Sequence, residues 1–515
     1  MAIAFINLAL PLALLVIGAI VTLRRSKGKY PPGPPGIPIF GVAKEHPRTE
    51  FWKKYAKWGA QYGNLGFISF QILGRRRVII NSAAVAEDLL LRRSAIYSDR
   101  PFPPMSGELL RRERSLFYCS YNERFKTYRK LFHQGFNPGA IQNYWELLQS
   151  EARILVANVY KSPEKMPELL KGNAGAVTMK IAYGYTISGE NDPFVLMAEE
   201  PIRLASIASA PGRWLVDSIP ALKYVPSWFP GAGFKRQAKI WADKLYNDSL
   251  QPHNWVKQQM QAGTAVPSFT SRLFEAAGPE GLTPEYDDIV LWTAGAIYAA
   301  GADTIVASVK AFYFLMMMHP DVQKRAQAEV DSVIAKENRL PTLHDRPHMP
   351  YVDAVLQEVL RWATPAPIGL PHATSADDRY QGYYIPAKTT IIPNIWAMTH
   401  DAEQYPDPLT FNPERFVKQP GDTVQRDPRQ LVFGFGRRMC PGQYVGEASI
   451  FIQMATTLAA LDISKALDDD GRPIEPEVVF TTALVSHIHP FKYSIKVREN
   501  NGIALILQDI AAREN

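Results

Sequence analysis

The chain opens on an apolar segment and changes abruptly to a charged one. Residues 1–23 contain no charged side chain, and Arg24, Arg25, Lys27 and Lys29 follow closely. A helix of that length spans about 30 Å, which is enough to cross the hydrocarbon core of a bilayer. Positive flanks stay on the cytosolic side, so the pattern predicts a transmembrane anchor followed by a cytosolic body.

A cleaved signal peptide is the alternative interpretation of this segment. In a signal peptide the positive charge precedes the apolar run, whereas here it follows, so the sequence favours the anchor. Residues 24–40 form a basic and proline-rich hinge, in which the stretch 30–38 is predicted to be stiff and extended. Residues 41–515 show no repeat and no long flexible linker, which predicts one large domain.

Within this domain the hydrophobic periodicity predicts an α+β fold that is mainly α. Two apolar, β-rich runs lie between residues 65 and 81, and Gly74 separates them, which predicts a hairpin. From 82 to 363 the pattern is mainly helical.

The clearest predicted helix is capped by Thr283, begins at Pro284 and ends at Met318, before His319 and Pro320. Its length is about 50 Å, enough to cross a whole domain. The remaining predictions are helices from near Asp321, over 351–362 and after Cys440, short strands over 365–395 and 484–507, and irregular structure over 400–432.

Composition and charge restrict the classes of function. The net charge of +7 is modest, and indicates either a solvated basic surface or contact with anionic lipid or an acidic protein. No nucleic-acid motif accompanies the charge, so no nucleic-acid partner is expected. The two cysteines, Cys119 and Cys440, do not make a disulfide framework and fit a reducing, cytosol-facing compartment.

One of these cysteines lies in a glycine-rich, cationic loop over residues 433–442. Gly436 and Gly442 let the backbone turn tightly and approach a large flat ligand, and Arg438 offers a planar fork of donors to a carboxylate. The N-terminus of the helix predicted behind Cys440 would favour a thiolate, which can ligate haem iron. The alternatives are a surface glycine turn and the nucleophilic cysteine of a hydrolase.

The spacing of Phe433, Gly436, Arg438, Cys440 and Gly442 resembles the haem-binding signature of the cytochrome P-450 family. The resemblance implies that fold behind an N-terminal transmembrane helix, with haem b as cofactor and Cys440 as the axial ligand of its iron. It also implies a haem-thiolate monooxygenase that inserts one oxygen atom of O2 into a hydrophobic small molecule. Electrons would come from NADPH through a separate NADPH–cytochrome P-450 reductase, with cytochrome b5 as a further candidate partner.

The middle of the long predicted helix carries Gly301, Asp303 and Thr304. A glycine inside a helix costs about 1 kcal/mol relative to alanine, and a buried carboxylate is expensive, so both need a reason. The segment resembles the family's oxygen-activation motif, which implies that Asp303 and Thr304 manage protons. Ile305 departs from the family pattern, where Thr or Ser is usual. The alternative is a helix packing notch with a solvent-facing Asp303.

Glu358 and Arg361 lie at i and i+3 on one predicted helix face, a spacing that by itself usually marks a surface pair. Together with Arg415 they resemble the structural triad of the family. The resemblance implies that the three fix the region before Cys440 and take no part in the chemistry. A buried network of this kind needs every partner.

Haem propionates need cations, and Arg438 is the first candidate. The segment 123–133 resembles the family helix that presents a Trp and an Arg to the propionates, with Arg129 at the Arg position and Phe125 where Trp is usual. His372 resembles a further propionate contact, and its alternative is an ordinary strand histidine.

Two further segments, 214–220 and 228–231, are similar to fungal microsomal members of secondary metabolism, including enzymes like O-methylsterigmatocystin oxidoreductase. This implies a role in the biosynthesis of a terpenoid, polyketide or aromatic metabolite, on a single-pass protein of the endoplasmic reticulum membrane with a cytosolic catalytic domain. Trp228 and Phe229 are expected to touch the membrane surface, with core packing as the alternative.

Two other functions are compatible with a haem-thiolate site. A haem-thiolate isomerase or dehydratase would work without a reductase, and such enzymes often lack the acid–alcohol pair that Asp303 and Thr304 form here. A non-catalytic haem-binding sensor would bind haem without reducing O2. The sequence leaves the substrate, its site of oxidation and the oligomeric state open.

Overall fold

The computed structural model describes residues 28–38, 40–63, 65–189, 192–210, 212–417 and 424–514. Within these ranges the chain is mainly helical and carries three small sheets. The predicted anchor, residues 1–23, lies outside the described residues. The predicted α+β, mainly α class is confirmed for the body of the chain.

The helices carry most of the chain, and we number them in order. They are α1 Phe51–Tyr62, α2 Ala83–Ala86, α3 Ser94–Tyr97, α4 Glu123–Phe136, α5 Trp145–Lys161, α6 Met166–Tyr183, α7 Pro193–Ser209, α8 Leu215–Ser218, α9 Gly233–Gln261, α10 Phe269–Gly281, α11 Pro284–Met318, α12 Pro320–Glu337, α13 Pro350–Trp362, α14 Ile395–Thr399, α15 Arg429–Val432, α16 Gln443–Ala460 and α17 Gly502–Glu514.

The strands are short and lie beside the helical body. They are β1 Phe67–Ile72, β2 Arg75–Ile80, β3 His372–Ala373, β4 Asp378–Tyr380, β5 Tyr383–Ile385, β6 Thr390–Pro393, β7 Leu461–Lys465 and β8 Tyr493–Val497. One sheet has the order β1-β2-β6-β3, and β4-β5 and β7-β8 form separate pairs. In the first sheet β1 and β2 are the predicted antiparallel hairpin, β6 runs parallel to β2, and β3 is antiparallel to β6.

The central helix α11 has the predicted ends. The Thr283 hydroxyl accepts a hydrogen bond from the Tyr286 backbone N–H, and the helix runs for 35 residues until His319 leaves the helical conformation. It packs against α6 and α16, and its segment from Ile305 to Met317 is almost wholly buried. Among the described residues α11 alone is long and apolar enough to span a membrane, and its burial marks it as the core helix of the domain.

The C-terminal prediction is partly wrong. Short strands were expected over 484–507, but only Tyr493–Val497 is a strand, and the chain then forms the helix Gly502–Glu514. The apolar run after Gly502 reads like a strand, but tertiary contacts decide otherwise. The Asn500 side chain accepts a hydrogen bond from the Gly502 N–H, Ile506 is fully buried, and Asp509 forms an ion pair with Arg153 of α5.

Candidate active site

The glycine-rich loop closes on itself around Cys440. Helix α15 ends before Phe433, a 3-10 turn covers Gly436–Arg438, and α16 begins at Gln443. The Cys440 backbone N–H donates to the Phe433 carbonyl across 2.8 Å. The predicted helix behind the cysteine is therefore present, and the loop holds Cys440 between two short hydrogen-bonded turns.

The structure explains one of the two predicted loop glycines and leaves open space beside the other. Gly436 has a φ of +57°, and a Cβ there would lie 2.2 Å from the Leu90 carbonyl oxygen, so no other residue fits without movement. Gly442 has an ordinary φ, and a Cβ on it would meet no atom within 4 Å. The protein alone therefore gives no packing reason for Gly442, and the space beside it suits the close approach of a flat ligand.

The surroundings of Cys440 act on its thiol in opposite directions. Burial raises the pKa of Cys440, whereas the backbone N–H of Gly442 and the cation of Arg129 lower it. The expected contribution from the start of α16 is thus present through Gly442, but burial outweighs it in the polypeptide. Coordination to a metal would reverse the balance, since a coordinating thiol is deprotonated.

Beside this loop lies a group of buried cations. Arg438 donates through Nε to the Ser98 carbonyl and through Nη2 to the Cys119 carbonyl, both at 2.7 Å. Arg100 donates through Nη1 to the carbonyls of Leu370 and Pro371, also at 2.7 Å. Burial is the main cause that lowers the pKa of Arg438 to about 10 and that of Arg100 to about 9.

His372 belongs to the same group. Its Nδ1 donates to the Tyr97 carbonyl across 2.8 Å, and the residue is buried on β3. Burial lowers the pKa of His372 well below its ordinary value, and the cations of Arg100 and Arg438 lower it further. The imidazole is therefore neutral. The Asp99 carboxylate raises the pKa of both arginines, but burial outweighs it.

This cation group tests whether haem fits the site. Arg100 Nε and Arg438 Nη1 are buried atoms without a hydrogen-bond partner among the described residues. The nearest carboxylate, Asp99, accepts from the backbone N–H groups of Arg100 and Tyr121. Buried donors without partners are costly, and carboxylates are the natural acceptors for guanidinium groups. The residues present therefore fit a group that brings its own carboxylates, as haem does through its propionates.

Sequence reasoning missed Arg100. No motif or spacing marks it, because it follows α3 in an irregular segment and reaches the site only through the tertiary fold. Arg100 is recognised only in the structure, by three features together: its guanidinium is buried, its Nε has no hydrogen-bond partner among the described residues, and the positive charge of Arg438 adds to burial in lowering its pKa.

The helix α4 braces the loop from another side. Arg129 donates through Nη1 to the Met439 carbonyl across 2.6 Å, directly before Cys440. The guanidinium carbon of Arg438 lies 3.6 Å from the centroid of the Phe125 ring. Both predicted α4 residues thus contact the loop: Arg129 donates from its guanidinium to the loop backbone, and Phe125 presents the face of its ring to Arg438.

In the middle of α11, a short accessible stretch lies between two mostly buried segments of the helix. Ala299 and Ala300 are exposed and the next four residues are partly accessible, whereas Ile305 and the turns after it are buried. The Thr304 hydroxyl donates to the Ala300 carbonyl across 2.9 Å. The carboxylate of Asp303 contacts Nε2 of His487 at 2.9 Å, a partner that sequence reasoning did not identify.

Gly301 has a packing explanation. A Cβ on Gly301 would lie 2.9 Å from Cγ2 of Thr178 on α6, the helix against which α11 packs. This is the helix packing notch that the sequence left open as the alternative. Packing against Thr178 therefore accounts for Gly301 without a ligand. It does not account for the accessibility of Asp303 and Thr304, which fits a role in the site.

The structure brings the predicted triad together. Arg361 Nε and Nη2 each donate to the Glu358 carboxylate at 2.7 Å, and both side chains are completely buried. Arg415 Nε lies 3.4 Å from the same carboxylate. The surface-pair alternative is therefore wrong for Glu358 and Arg361.

The guanidinium groups of the triad bind backbone carbonyls of the irregular region that precedes the cysteine loop. Arg361 donates to the carbonyls of Thr399, Pro408 and Thr410 at 2.8–3.1 Å. Arg415 donates to the carbonyls of Pro406 and Asp407. The network thus ties a long stretch without regular secondary structure to the helix α13.

The candidate metal ligand stands alone. Within the described ranges no three His, Cys, Asp or Glu side chains form a group able to hold a metal ion. The arrangement is compatible with a metal that is held in a prosthetic group and bound to the protein through Cys440 alone. A single cysteine in a glycine-rich loop, buried guanidinium donors without partners among the described residues and a helical fold with a long central helix are the features of a haem-thiolate protein.

The comparison with protein families agrees with this class. The family model described as Cytochrome P-450 matches residues 31–495, and the chain belongs to that family. The family consists of oxidoreductases that bind haem through a cysteine thiolate.

Several fungal proteins are similar to the chain over nearly its whole length. It is 42% identical over 490 residues, 95% of this chain and 94% of the relative, to Cytochrome P-450 monooxygenase 208 of Postia placenta. It is 40% identical over 497 residues, 96% and 91% of the two chains, to Cytochrome P-450 monooxygenase claR of Ampulloclitocybe clavipes. It is 39% identical over 468 residues, 90% and 88%, to Cytochrome P-450 monooxygenase COX2 of Coprinopsis cinerea. The chain is thus an enzyme of the monooxygenase class.

Proposed function

We propose that Cys440 is the axial ligand of haem b and that the enzyme inserts one oxygen atom of O2 into a hydrophobic small molecule. The observation that carries this assignment is the pair of buried, unpartnered donors on Arg100 and Arg438 beside the Cys440 loop. When bound, the haem supplies the chemistry of O2 reduction and oxygen transfer.

Four side chains would hold the haem propionates. Arg438 and Arg100 supply buried charge, His372 supplies a neutral imidazole, and Arg129 lies beside Cys440 with its cation. The arginines repel one another in the polypeptide, and this repulsion is relieved when carboxylates enter between them. Relief of the repulsion then contributes to the binding of the propionates. Phe433, Gly436 and Gly442 shape the loop, and Phe433 also accepts the Cys440 backbone hydrogen bond.

Asp303 and Thr304 would manage protons during the reaction. They are neighbours on α11, so their side chains point about 100° apart and cannot act as one bidentate group. Thr304 keeps its hydroxyl on the accessible stretch while donating to the Ala300 carbonyl. Asp303 holds its contact with His487. The two residues thus hold protons at separate points along one helix.

The triad of Glu358, Arg361 and Arg415 would keep the region before the cysteine loop in place. Its contacts are to backbone carbonyls and not to the loop cysteine, which supports a structural role.

The partners proposed for the chain are an NADPH–cytochrome P-450 reductase, with cytochrome b5 as a further donor, and the membrane of the endoplasmic reticulum. The lipid contact is supported by three exposed aromatic side chains between α8 and α9: Tyr224 at 78%, Trp228 at 77% and Phe229 at 49% exposure. Core packing, the alternative for Trp228 and Phe229, does not hold. Amphipathic rings of this kind suit the membrane–water interface.

Membrane attachment is tested by flotation with liposomes. Deleting residues 1–23 should weaken flotation only in part, and replacing Trp228 and Phe229 by Ser in the deleted form should abolish it. Full-length protein that does not float would overturn the anchor.

We further propose a substrate from fungal secondary metabolism, a terpenoid, polyketide or aromatic compound. Support comes from the similarity of segments 214–220 and 228–231 to enzymes of that kind. Untargeted metabolite profiling of cells that co-express the chain and a reductase tests this directly. Product formation that needs no reductase would favour an isomerase or dehydratase, and haem binding without any O2 consumption would favour a sensor.

The assignment of Cys440 has its own test. The reduced, carbon monoxide-bound protein should show the red-shifted Soret band of a thiolate ligand. Cys440→Ser should lose this band. Cys119→Ser should keep it, because Arg438 uses only the backbone carbonyl of Cys119. A band retained in Cys440→Ser would show that another group holds the iron.

A further inference from the structure

The carboxylate of Asp303 has a partner from the C-terminal part of the chain. Nε2 of His487 lies 2.9 Å from Oδ1 of Asp303. An ionised carboxylate only accepts hydrogen bonds, so Nε2 donates in this contact. The side chains stay partly accessible, at 20% for His487 and 42% for Asp303. Neither group is sealed off, so protons can enter and leave the pair.

The backbone of the loop over residues 479–489 places His487 firmly. The His487 N–H donates to the Thr481 hydroxyl at 2.9 Å, and its carbonyl accepts from the Thr481 N–H at 2.8 Å. The His489 N–H donates to the Val479 carbonyl at 2.9 Å. The imidazole therefore projects from a closed hydrogen-bonded loop and not from a free chain.

This loop is docked on the central helix independently of the imidazole. Lys310 of α11 donates through Nζ to the Ile488 carbonyl at 2.7 Å, and the Ser486 N–H donates to the Pro365 carbonyl at 2.8 Å. Lys310 lies seven residues after Asp303, two turns along the same helix face. The loop thus has its own anchors, and the fold does not depend on the His487–Asp303 contact to hold it.

The type of partner decides what the contact can do. An arginine would neutralise Asp303 permanently, because it does not release its proton. Histidine can donate a proton and take it up again near neutral pH. Lys310, the cation two turns further along α11, contacts the Ile488 carbonyl and not Asp303. The charged groups that shift the pKa of Lys310 are Lys171 and Glu168 of α6. His487 is therefore the proton-exchanging group in contact with Asp303.

We propose that His487 is a positioning residue that supplies protons to Asp303 during oxygen activation. The inference rests on the proposed function of Asp303 and Thr304. In each transfer Asp303 has first passed on its proton; the bond between Nε2 of a His487 imidazolium and its proton then breaks and a bond between that proton and Oδ1 of Asp303 forms. The imidazole is left neutral with its remaining proton on Nδ1, and a hydronium ion from the solvent reprotonates Nε2 and leaves as water. No electron moves in this exchange, since the electrons come from NADPH through the reductase.

The test uses the full-length, haem-loaded protein reconstituted with reductase. His487→Gln keeps an N–H donor for Asp303 but cannot pass a proton on. His487→Arg keeps the positive charge but does not release a proton. His489→Gln is the matched control, because His489 is an exposed imidazole in the same loop that contributes a backbone contact. The measurements are NADPH oxidation in H2O and D2O, the carbon monoxide Soret band and the midpoint of thermal unfolding.

We expect both His487 variants to oxidise NADPH roughly 100-fold more slowly and with a larger solvent isotope effect, at the low end of general acid–base contributions. Their Soret band and unfolding midpoint should match the wild type, and His489→Gln should match it throughout. Adding Asp303→Asn to His487→Gln should cause little further loss, since both act in one transfer.

Two results would overturn the inference. Wild-type rates and isotope effects in His487→Gln would show that Asp303 receives its protons elsewhere, and a wild-type rate in His487→Arg would reduce His487 to an ion-pair partner. If one variant loses its Soret band, the other decides. A wild-type protein that lacks the thiolate band or does not consume O2 would instead count against the proposed function itself.

Discussion

The Arg438 guanidinium lies over the face of the Phe125 ring, with 3.6 Å between the guanidinium carbon and the ring centroid. Resemblance to the family places Trp where this chain has Phe125, so a ring N–H donor is lost here. The stack replaces it by a contact of a different kind, in which the ring face meets a cation. Since Arg438 also donates to the Ser98 and Cys119 carbonyls, two hydrogen bonds and the ring contact together fix its position.

Replacing Phe125 by Leu should therefore weaken the hold on haem. A cation over an aromatic face contributes about 0.5–2 kcal/mol, which corresponds to roughly 2- to 30-fold faster haem loss. Transfer of haem to an excess of apomyoglobin measures that rate. Phe132→Leu, a buried ring on the same helix that stacks on Phe269, is the control and should lower stability without changing haem loss. Equal effects of the two substitutions would refute a specific role for Phe125.

Sequence reasoning identified those parts of the fold that local signals determine. The hairpin around Gly74 and the ends of α11 at Thr283 and His319 follow from turn and capping residues, which act on their immediate neighbours. The helix Gly502–Glu514 was missed because its apolar run is ambiguous. Its contacts with Asn500 and Arg153 come from the tertiary fold.

The candidate site shows the same division. Arg438 and Cys440 share a short loop, so their spacing is visible in the sequence. Arg100 and His487 come from distant segments, and only packing places them beside Arg438 and Asp303. Gly301 shows the opposite error, since a residue inside a motif has a packing reason in Thr178.

The Glu358–Arg361 pair should be essential for folding. Glu358→Gln leaves the Arg361 cation fully buried without its counter-charge, and losing one partner of such a pair costs about 3–5 kcal/mol. We expect little haem-loaded protein, measured by the Soret band per mole of purified chain. Glu475→Gln, which breaks an exposed pair with Lys465, should cost at most about 1 kcal/mol and load normally. Normal haem content in Glu358→Gln would show that the network is dispensable.

His400 makes the protein sensitive to acid. It stacks on Trp396 with ring centroids 4.4 Å apart, and burial followed by the Arg361 cation lowers the pKa of His400 to about 3. In the unfolded chain the pKa of His400 is 6.5, higher than in the folded protein. The stability that the neutral imidazole contributes is therefore fully present above pH 6.5 and is lost as the pH falls toward 3.

His400→Gln should therefore make the unfolding midpoint depend less on pH below 6.5. Thermal unfolding at several pH values below 6.5 measures how steeply the midpoint changes with pH. His348→Gln is the control, because His348 is exposed. Part of the acid sensitivity should survive, because burial also lowers the pKa of His46 to about 4. If the slope is the same in His400→Gln and in the wild type, the His400 imidazole of the wild type is already protonated in the folded protein.

Thr304 is expected to control how efficiently reducing equivalents are used. Its hydroxyl lies on the accessible stretch of α11 and donates to the Ala300 carbonyl, so Thr304→Ala removes a proton-bearing group without opening a buried cavity. The variant should keep its haem and still oxidise NADPH. More of the electrons should leave as hydrogen peroxide, because the proton that completes oxygen reduction arrives more slowly. Peroxide released per NADPH in the reductase-reconstituted protein is the measurement.

The matched control for this effect is Thr293→Ala. Thr293 lies eleven residues earlier on the same helix, about 16 Å away along its axis, and makes the same kind of hydrogen bond, from its hydroxyl to the Ile289 carbonyl at 2.6 Å. Unlike Thr304 it is completely buried, so its loss should lower stability and leave peroxide release unchanged. If Thr304→Ala and Thr293→Ala release the same fraction of peroxide as the wild type, another group delivers the protons. Thr304 would then serve α11 only as a helix residue that satisfies its own backbone.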